Sequence, residues 1–461
     1  MPSKNSSSVL LDVNAGDPSD QPQPWPVEAA SDDPFRILML GDFSGSDSRP
    51  PLASRVPQQI DRDNFDEVLA RLGVQVALRF SPDAAVRLSF RELADFDPDS
   101  IFDRCDVFHG AMPIPSTKPA GQPSSRVEAI DENGSVESDV ARITSGSLLD
   151  DIVAGADVTA RGKPKDDLQS IVERVVAPHL ERYSPEDRSN RDRAHSVLMR
   201  AVLHDPQFQA LEAAWRALDM LTRGLDTDGA LSIYILDVTK DELNRGLSDL
   251  APRLAPREPW ALIACNFVFD RSAGDVALLR RMGELAVRAG APMIAESEPP
   301  DEDSESAEWR ALRASPEARW LGLALPRFLA RVPYGKATYA IQKFAFEEVD
   351  GAPRHRDFLW ANPAFACALL LGRSFEEYGW KFRPGAARQM SGLPFCAFEV
   401  DGEMRSQPCA EILLTDHQIE YIQDQGCMAL APMKNSDVAM LVRFQSIADP
   451  VTALAGRWQT S

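Results

Sequence analysis

A chain of 461 residues is too long for one ordinary core and carries length for two or three domains, which excludes a small disulfide-stapled scaffold. Its formal net charge of -21 and pI near 4.8 argue against nucleic acid or anionic lipid as a main partner, since both are themselves negative. Cys105, Cys265, Cys367, Cys396, Cys409 and Cys427 form no Cys-x-x-Cys pair and read as buried reduced thiols. The first residues lack an apolar signal core and no run of about 18 apolar residues spans a bilayer, so a cytoplasmic protein without membrane insertion is expected.

Residues 1–33 are rich in Ser, Asp and Pro and are expected to be a disordered tail. Residues 35–41 form an apolar run stopped by Gly41, as in a buried strand, and 74–80 alternate with period two. A small domain is expected over 34–112, followed by a Pro-, Ser- and Gly-rich linker at 113–146. Beyond the linker, Leu148, Leu149, Ile152 and Val153 lie on one side of a short amphipathic helix.

The clearest helix runs from Asp205 to Thr222, with Asp205 as N-cap, Pro206 at the first helical position and a stripe of Phe208, Leu211, Trp215 and Leu218. Strands are expected at 231–238 and 260–269, a helix at 275–289 and a strand at 292–296, which together make a parallel crossover. Further helices follow at 309–312, 362–378 and 416–425, the last among short strands over 393–448. The stretch from Arg319 to Gly335 is dense in apolar residues and holds no plausible catalytic group. Its prolines interrupt helix, while Arg327 and Arg331 place planar donor forks among Trp320, Phe328 and Tyr334, so it reads as a buried corner or subunit contact.

No constellation reaches an enzyme. The loop Gly41 to Gly45 lacks the Walker lysine, and Cys105 with His109 gives only two ligands. His195 and His204 have no obvious nucleophile, and Ser374 lacks a nucleophile elbow. The acidic run from Asp301 lacks calcium-loop order. No catalytic residue, cofactor or metal is expected.

The packing motifs carry a resemblance. Phe208, Leu211, Glu212, Trp215, Arg216 and Leu218 follow the pattern Phe-x-x-Leu-Glu-x-x-Trp-Arg-Gly-Leu of the type VI secretion contractile sheath large subunit, TssC (ImpC/VipB-like), with Ala217 in place of the glycine. Gly322, Leu323, Pro326, Arg327, Leu329, Arg331, Pro333, Tyr334 and Gly335 match a second block of the same family. Phe344 to Glu348, Leu359 to Ala366 with Trp360, and Ser374 to Trp380 with Tyr378 follow in the family's order. The likeness continues through Glu411, Gly426 and Gln445 to Pro450, over about 147–450. The segment from Phe35 to Gly45 and the Asp95-Phe96-Asp97-Pro98-Asp99 piece resemble the small sheath subunit, TssB, over about 34–110.

The resemblance implies an α/β (α+β) fold of two-layer sheath-type domains, with mixed sheets flanked by helices: a TssB-like domain at 34–112, a TssC-like core at 147–390 and a TssC-like portion at 391–461, shortened relative to the family. It further implies a contractile tube that surrounds an inner tube of Hcp rings, meets a baseplate, and links its subunits by interlaced terminal strands. In the family a ClpV-type AAA+ unfoldase takes an amino-terminal helix of the large subunit. Leu148, Leu149, Ile152 and Val153 occupy that place here, with packing on the chain's own domain as the alternative. The shortened end leaves a second expectation open, an adaptor or cap at the baseplate or sheath end.

Overall fold

The computed structural model describes residues 29–81, 84–109, 185–254, 258–300, 306–400 and 403–458. The expected linker, most of the expected tail, the expected helix around Leu148 to Val153 and the acidic run from Asp301 lie outside these residues.

The strands in chain order are β1 (Phe35–Gly41), β2 (Gln58–Ile60), β3 (Gln75–Ser81), β4 (Ala84–Ser89), β5 (Leu231–Asp237), β6 (Leu262–Phe269), β7 (Met293–Ser297) and β8 (Leu321–Leu325). They continue as β9 (Phe328–Arg331), β10 (Leu359–Ala361), β11 (Gln389–Met390), β12 (Cys396–Val400), β13 (Glu403–Gln407), β14 (Cys427–Pro432) and β15 (Ala439–Leu441). The helices are α1 (Phe65–Leu72), α2 (Pro98–Arg104), α3 (Pro185–Leu203), α4 (Pro206–Gly224), α5 (Lys240–Leu254), α6 (Ala273–Ala289), α7 (Ala307–Arg313), α8 (Pro363–Tyr378) and α9 (Asp416–Asp424).

One nine-stranded sheet runs β11-β15-β14-β8-β7-β6-β1-β5-β2. Its middle, from β14 to β5, is parallel, and antiparallel β2 and β15 flank it. The mixed α/β class holds. The layering is richer than two, because successive β1 residues face opposite sides. Phe35, Ile37 and Met39 pack with α4 and α8, whereas Leu38 and Leu40 pack with α5 and α6. The sheet is thus the middle of three layers.

The segment that reads as a separate small domain contributes β1 to the centre of this sheet, in register with β5 from Phe35↔Leu231 to Gly41↔Asp237 and with β6 on its other edge. The physical reason lies in the strand itself. An apolar run buried on both faces also needs hydrogen-bonding partners on both edges, and β5 and β6 supply both, while β3 and β4 pair with each other in a separate sheet. The expected tail also ends earlier than 33: Ala29 is buried and its N–H donates to the Arg457 carbonyl, while Asp33 pairs with the Arg457 guanidinium.

Local signals explain the elements that position the site. Asp205 caps α4 by accepting from the N–H groups of Gln207 and Phe208 at 2.9 and 3.1 Å. Ser272 caps α6, and Gly290 ends it with φ 63°, a left-handed turn that favours glycine. Gly45, at φ +62°, lets the loop after β1 approach β3 so closely that a Cβ there would lie 2.2 Å from the Gln75 carbonyl oxygen.

Candidate functional site

The residues singled out by motif converge on one buried charge network. Glu212 and Arg216 sit one turn apart on α4, and the Arg216 Nε donates to Glu212 Oε1 at 2.7 Å. Arg331, at the end of β9, lies between two carboxylates. It donates to Glu212 from Nε at 2.7 Å and Nη2 at 3.2 Å, and to Glu348 from Nη1 at 2.7 Å and Nη2 at 3.1 Å. The Tyr334 N–H donates to Glu348 at 2.7 Å, and the Arg331 guanidinium lies 4.3 Å from the Tyr334 ring centroid. Asp97, from the first segment, closes the network by accepting from Arg216 Nη2 at 3.0 Å and from the Tyr334 hydroxyl at 2.7 Å.

Glu212 and Glu348 are 0% and 1% exposed, so the energetics depend on pairing. Burial alone would raise the Glu348 carboxyl, but Arg331 beside it holds it below the usual carboxylate range. Burial also pushes the Tyr334 hydroxyl well above its ordinary value, so it stays a donor. The remaining motif residues frame this core. Leu211, Pro326, Pro333 and Gly335 are buried, and Thr338 donates to the Pro333 carbonyl. Trp360 is partly buried and stacks on His355. Tyr378 departs from the packing expectation: it ends α8 beside the exposed Glu376 and Glu377, and is itself 51% exposed.

Two tryptophans tie the segments together. Trp215 Nε1 donates to the Phe43 carbonyl at 2.9 Å, with the Phe43 and Phe65 rings at 6.0 and 5.5 Å. Trp380 Nε1 donates to the Asp33 carbonyl at 2.7 Å and packs 5.3 Å from Phe35. Motif residues of the second segment therefore hold the first.

A second cluster surrounds Arg327. It donates to Glu411 at 2.6 and 3.1 Å and lies 3.6 Å from Glu296, while His355 Nε2 lies 2.5 Å from Glu411. Sequence reasoning named Arg327 but missed these partners, as it missed Asp237. That carboxylate accepts from the N–H groups of Phe43 and Ser44 at 2.8 and 3.0 Å and from Arg49 Nε at 2.9 Å. The loop that follows β1 thus wraps the chain's own anion. Asp237→Ala is expected to cost about 1–3 kcal/mol in chemical denaturation, by stranding those donors.

The weaker chemical candidates are built into the packing. Ser374 is wholly buried, donates to the Leu370 carbonyl at 2.8 Å and accepts from the Ala387 N–H at 3.0 Å. His195 sits among Phe102, Phe108 and Phe344, and burial lowers its pKa. Cys105 is buried. Among the described residues no group of three or more His, Cys, Asp or Glu side chains is placed to hold a metal, and no helix is long and apolar enough to cross a membrane.

Fold and site define a structural protein in which two sequence segments are locked into one body by aromatic and ionic packing. The family described as EvpB/VC_A0108, tail sheath N-terminal domain (VipB), matches residues 189–256 and 300–448, and the one described as Type VI secretion system, VipA, VC_A0107 or Hcp2 matches 27–111. The chain belongs to the type VI secretion sheath proteins, with a TssB-like segment followed by a TssC-like one. It is 33% identical over 290 residues to the type VI secretion system sheath protein TssC1 of Pseudomonas aeruginosa, a match that covers 54% of this chain and 58% of that protein, less than two thirds of its length. A cryo-EM structure of the anti-feeding prophage (AFP) baseplate, 6-fold symmetrised, aligns over 51% of each chain at 14% identity and a TM-score of 0.31.

Proposed function

We propose that this chain is a non-catalytic sheath subunit that polymerises in the cytoplasm around an inner tube of Hcp rings and contracts against a baseplate, with a ClpV-type unfoldase recycling it. The observation that carries the polymerisation step is the β12–β13 pair. Glu403, Met404, Arg405 and Ser406 are all exposed, and among the described residues β13 pairs with β12 alone. A two-stranded ribbon of this kind is marginal by itself, and its open edge invites a strand from a neighbouring subunit.

The test is electron microscopy of the purified full chain, alone and with conventional sheath subunits. Tubes or cogwheel-like sections are expected in at least one case, and are expected to vanish when 396–407 is replaced by a short Gly-Ser linker. Small monodisperse species in both cases would overturn the reading. Shortening of growing tubes at substoichiometric amounts, without incorporation, would favour a cap instead.

A further inference from the structure

The root of the β12–β13 hairpin is held by ionisable groups drawn from four places in the fold. Glu296 lies on β7, Arg327 in the β8–β9 turn, His355 ahead of β10 and Glu411 just after β13. Backbone bonds tie the same root: the Glu411 N–H donates to the Arg327 carbonyl at 2.9 Å and the Leu329 N–H to the Cys409 carbonyl at 2.8 Å. Phe398 on β12 lies 6.5 Å from Phe358, beside the His355–Trp360 stack. Glu298 is the other charged group facing Glu296, and its neighbours across β6 and β8, Val268 and Ala324, carry no charge.

Protonation decides how this cluster is balanced. With Glu296 neutral, Glu411 has the Arg327 guanidinium to itself. With Glu296 ionised, one guanidinium serves two carboxylates that repel each other. We propose that the cluster is a pH-sensitive clamp that fixes the hairpin root below neutral pH and slackens above it, so that acidity sets how readily the hairpin takes a partner strand.

Burial pushes the Glu296 carboxyl up to about 7, against the opposing pull of Arg327. A group raised in the folded state contributes stability that is present below its ordinary range and lost as pH rises through about 7. Glu411 stays ionised, because hydrogen bonds from Arg327 and His355 outweigh its burial and hold it below its usual range.

The value of the clamp to assembly rests on the hairpin being the docking element, so the test reads the hairpin directly. Hydrogen exchange of the full chain is followed at residues 403–411 from pH 6 to 8, corrected for intrinsic rates. Protection is expected to fall about tenfold in the natural protein and to stay flat in Glu296→Gln, with β6 unchanged in both. Glu411→Gln is expected to be loose at both ends of the range. A flat natural profile, or equal slopes in the natural protein and Glu296→Gln, would overturn the clamp. A pH-dependent hairpin in a protein that forms no tubes at any pH would uphold the clamp and sink the sheath reading.

Discussion

Arg331→Ala is expected to destabilise the protein by about 3–5 kcal/mol, read as a fall in the denaturant midpoint. The loss follows from what remains: Glu212 and Glu348, both buried, would face each other without the guanidinium that bridges them. Arg331→Lys is expected to recover little, since a point ammonium cannot supply parallel donors to two carboxylates. The pH dependence gives a sharper check. In the natural protein Arg331 depresses Glu348, so its contribution is present above the ordinary carboxylate range and lost as pH falls below it. In Arg331→Ala burial of Glu348 is no longer opposed by that guanidinium and its carboxyl is raised, so the cost should shrink from pH 7.5 to pH 5. A cost independent of pH would show that the network acts only by filling space.

The second large effect concerns the join between segments. With a protease site engineered between 110 and 184, the cut protein is expected to elute as one species, because β1 remains paired on both edges and Trp215 and Trp380 still grip Phe43 and Asp33. Adding Trp215→Ala removes a fully buried indole at a cost of about 3–5 kcal/mol, and the fragments are then expected to separate on dilution. Separation of the cut protein with Trp215 intact would refute the account of the join.

Much of this was legible in the sequence, for identifiable reasons. The α4 boundary was readable because Asp205 and Pro206 are local cap signals, and β1 because an apolar run stopped by glycine suits a buried strand. The motif residues Glu212, Arg216, Arg331 and Tyr334 were named, but as separate packing positions. Their union through Asp97 and Glu348 depends on contacts 118 and 119 residues apart, such as Arg216 to Tyr334 and Arg331 to Glu212, which no local period encodes. The domain division failed to anticipate the shared sheet for a related reason: composition marks where a chain changes character, while strand order is fixed by partners far along it. Tyr378 misled because its neighbours in the motif are buried while it stands at a helix end.

The placement of β1 also governs how the molecule comes into being. Gly41 finds its register partner only at Asp237, so a nascent chain carries an unpaired strand, apolar but for Arg36, until that partner leaves the ribosome. At about 5–20 residues per second the wait is roughly ten to forty seconds. A pairing of such long sequence separation closes slowly even afterwards, and its exposed edges are prone to association in the meantime. Synthesis in one polypeptide shortens the search that two separate chains would have to make, so joining the segments changes the kinetics of reaching the sheet more than the sheet itself.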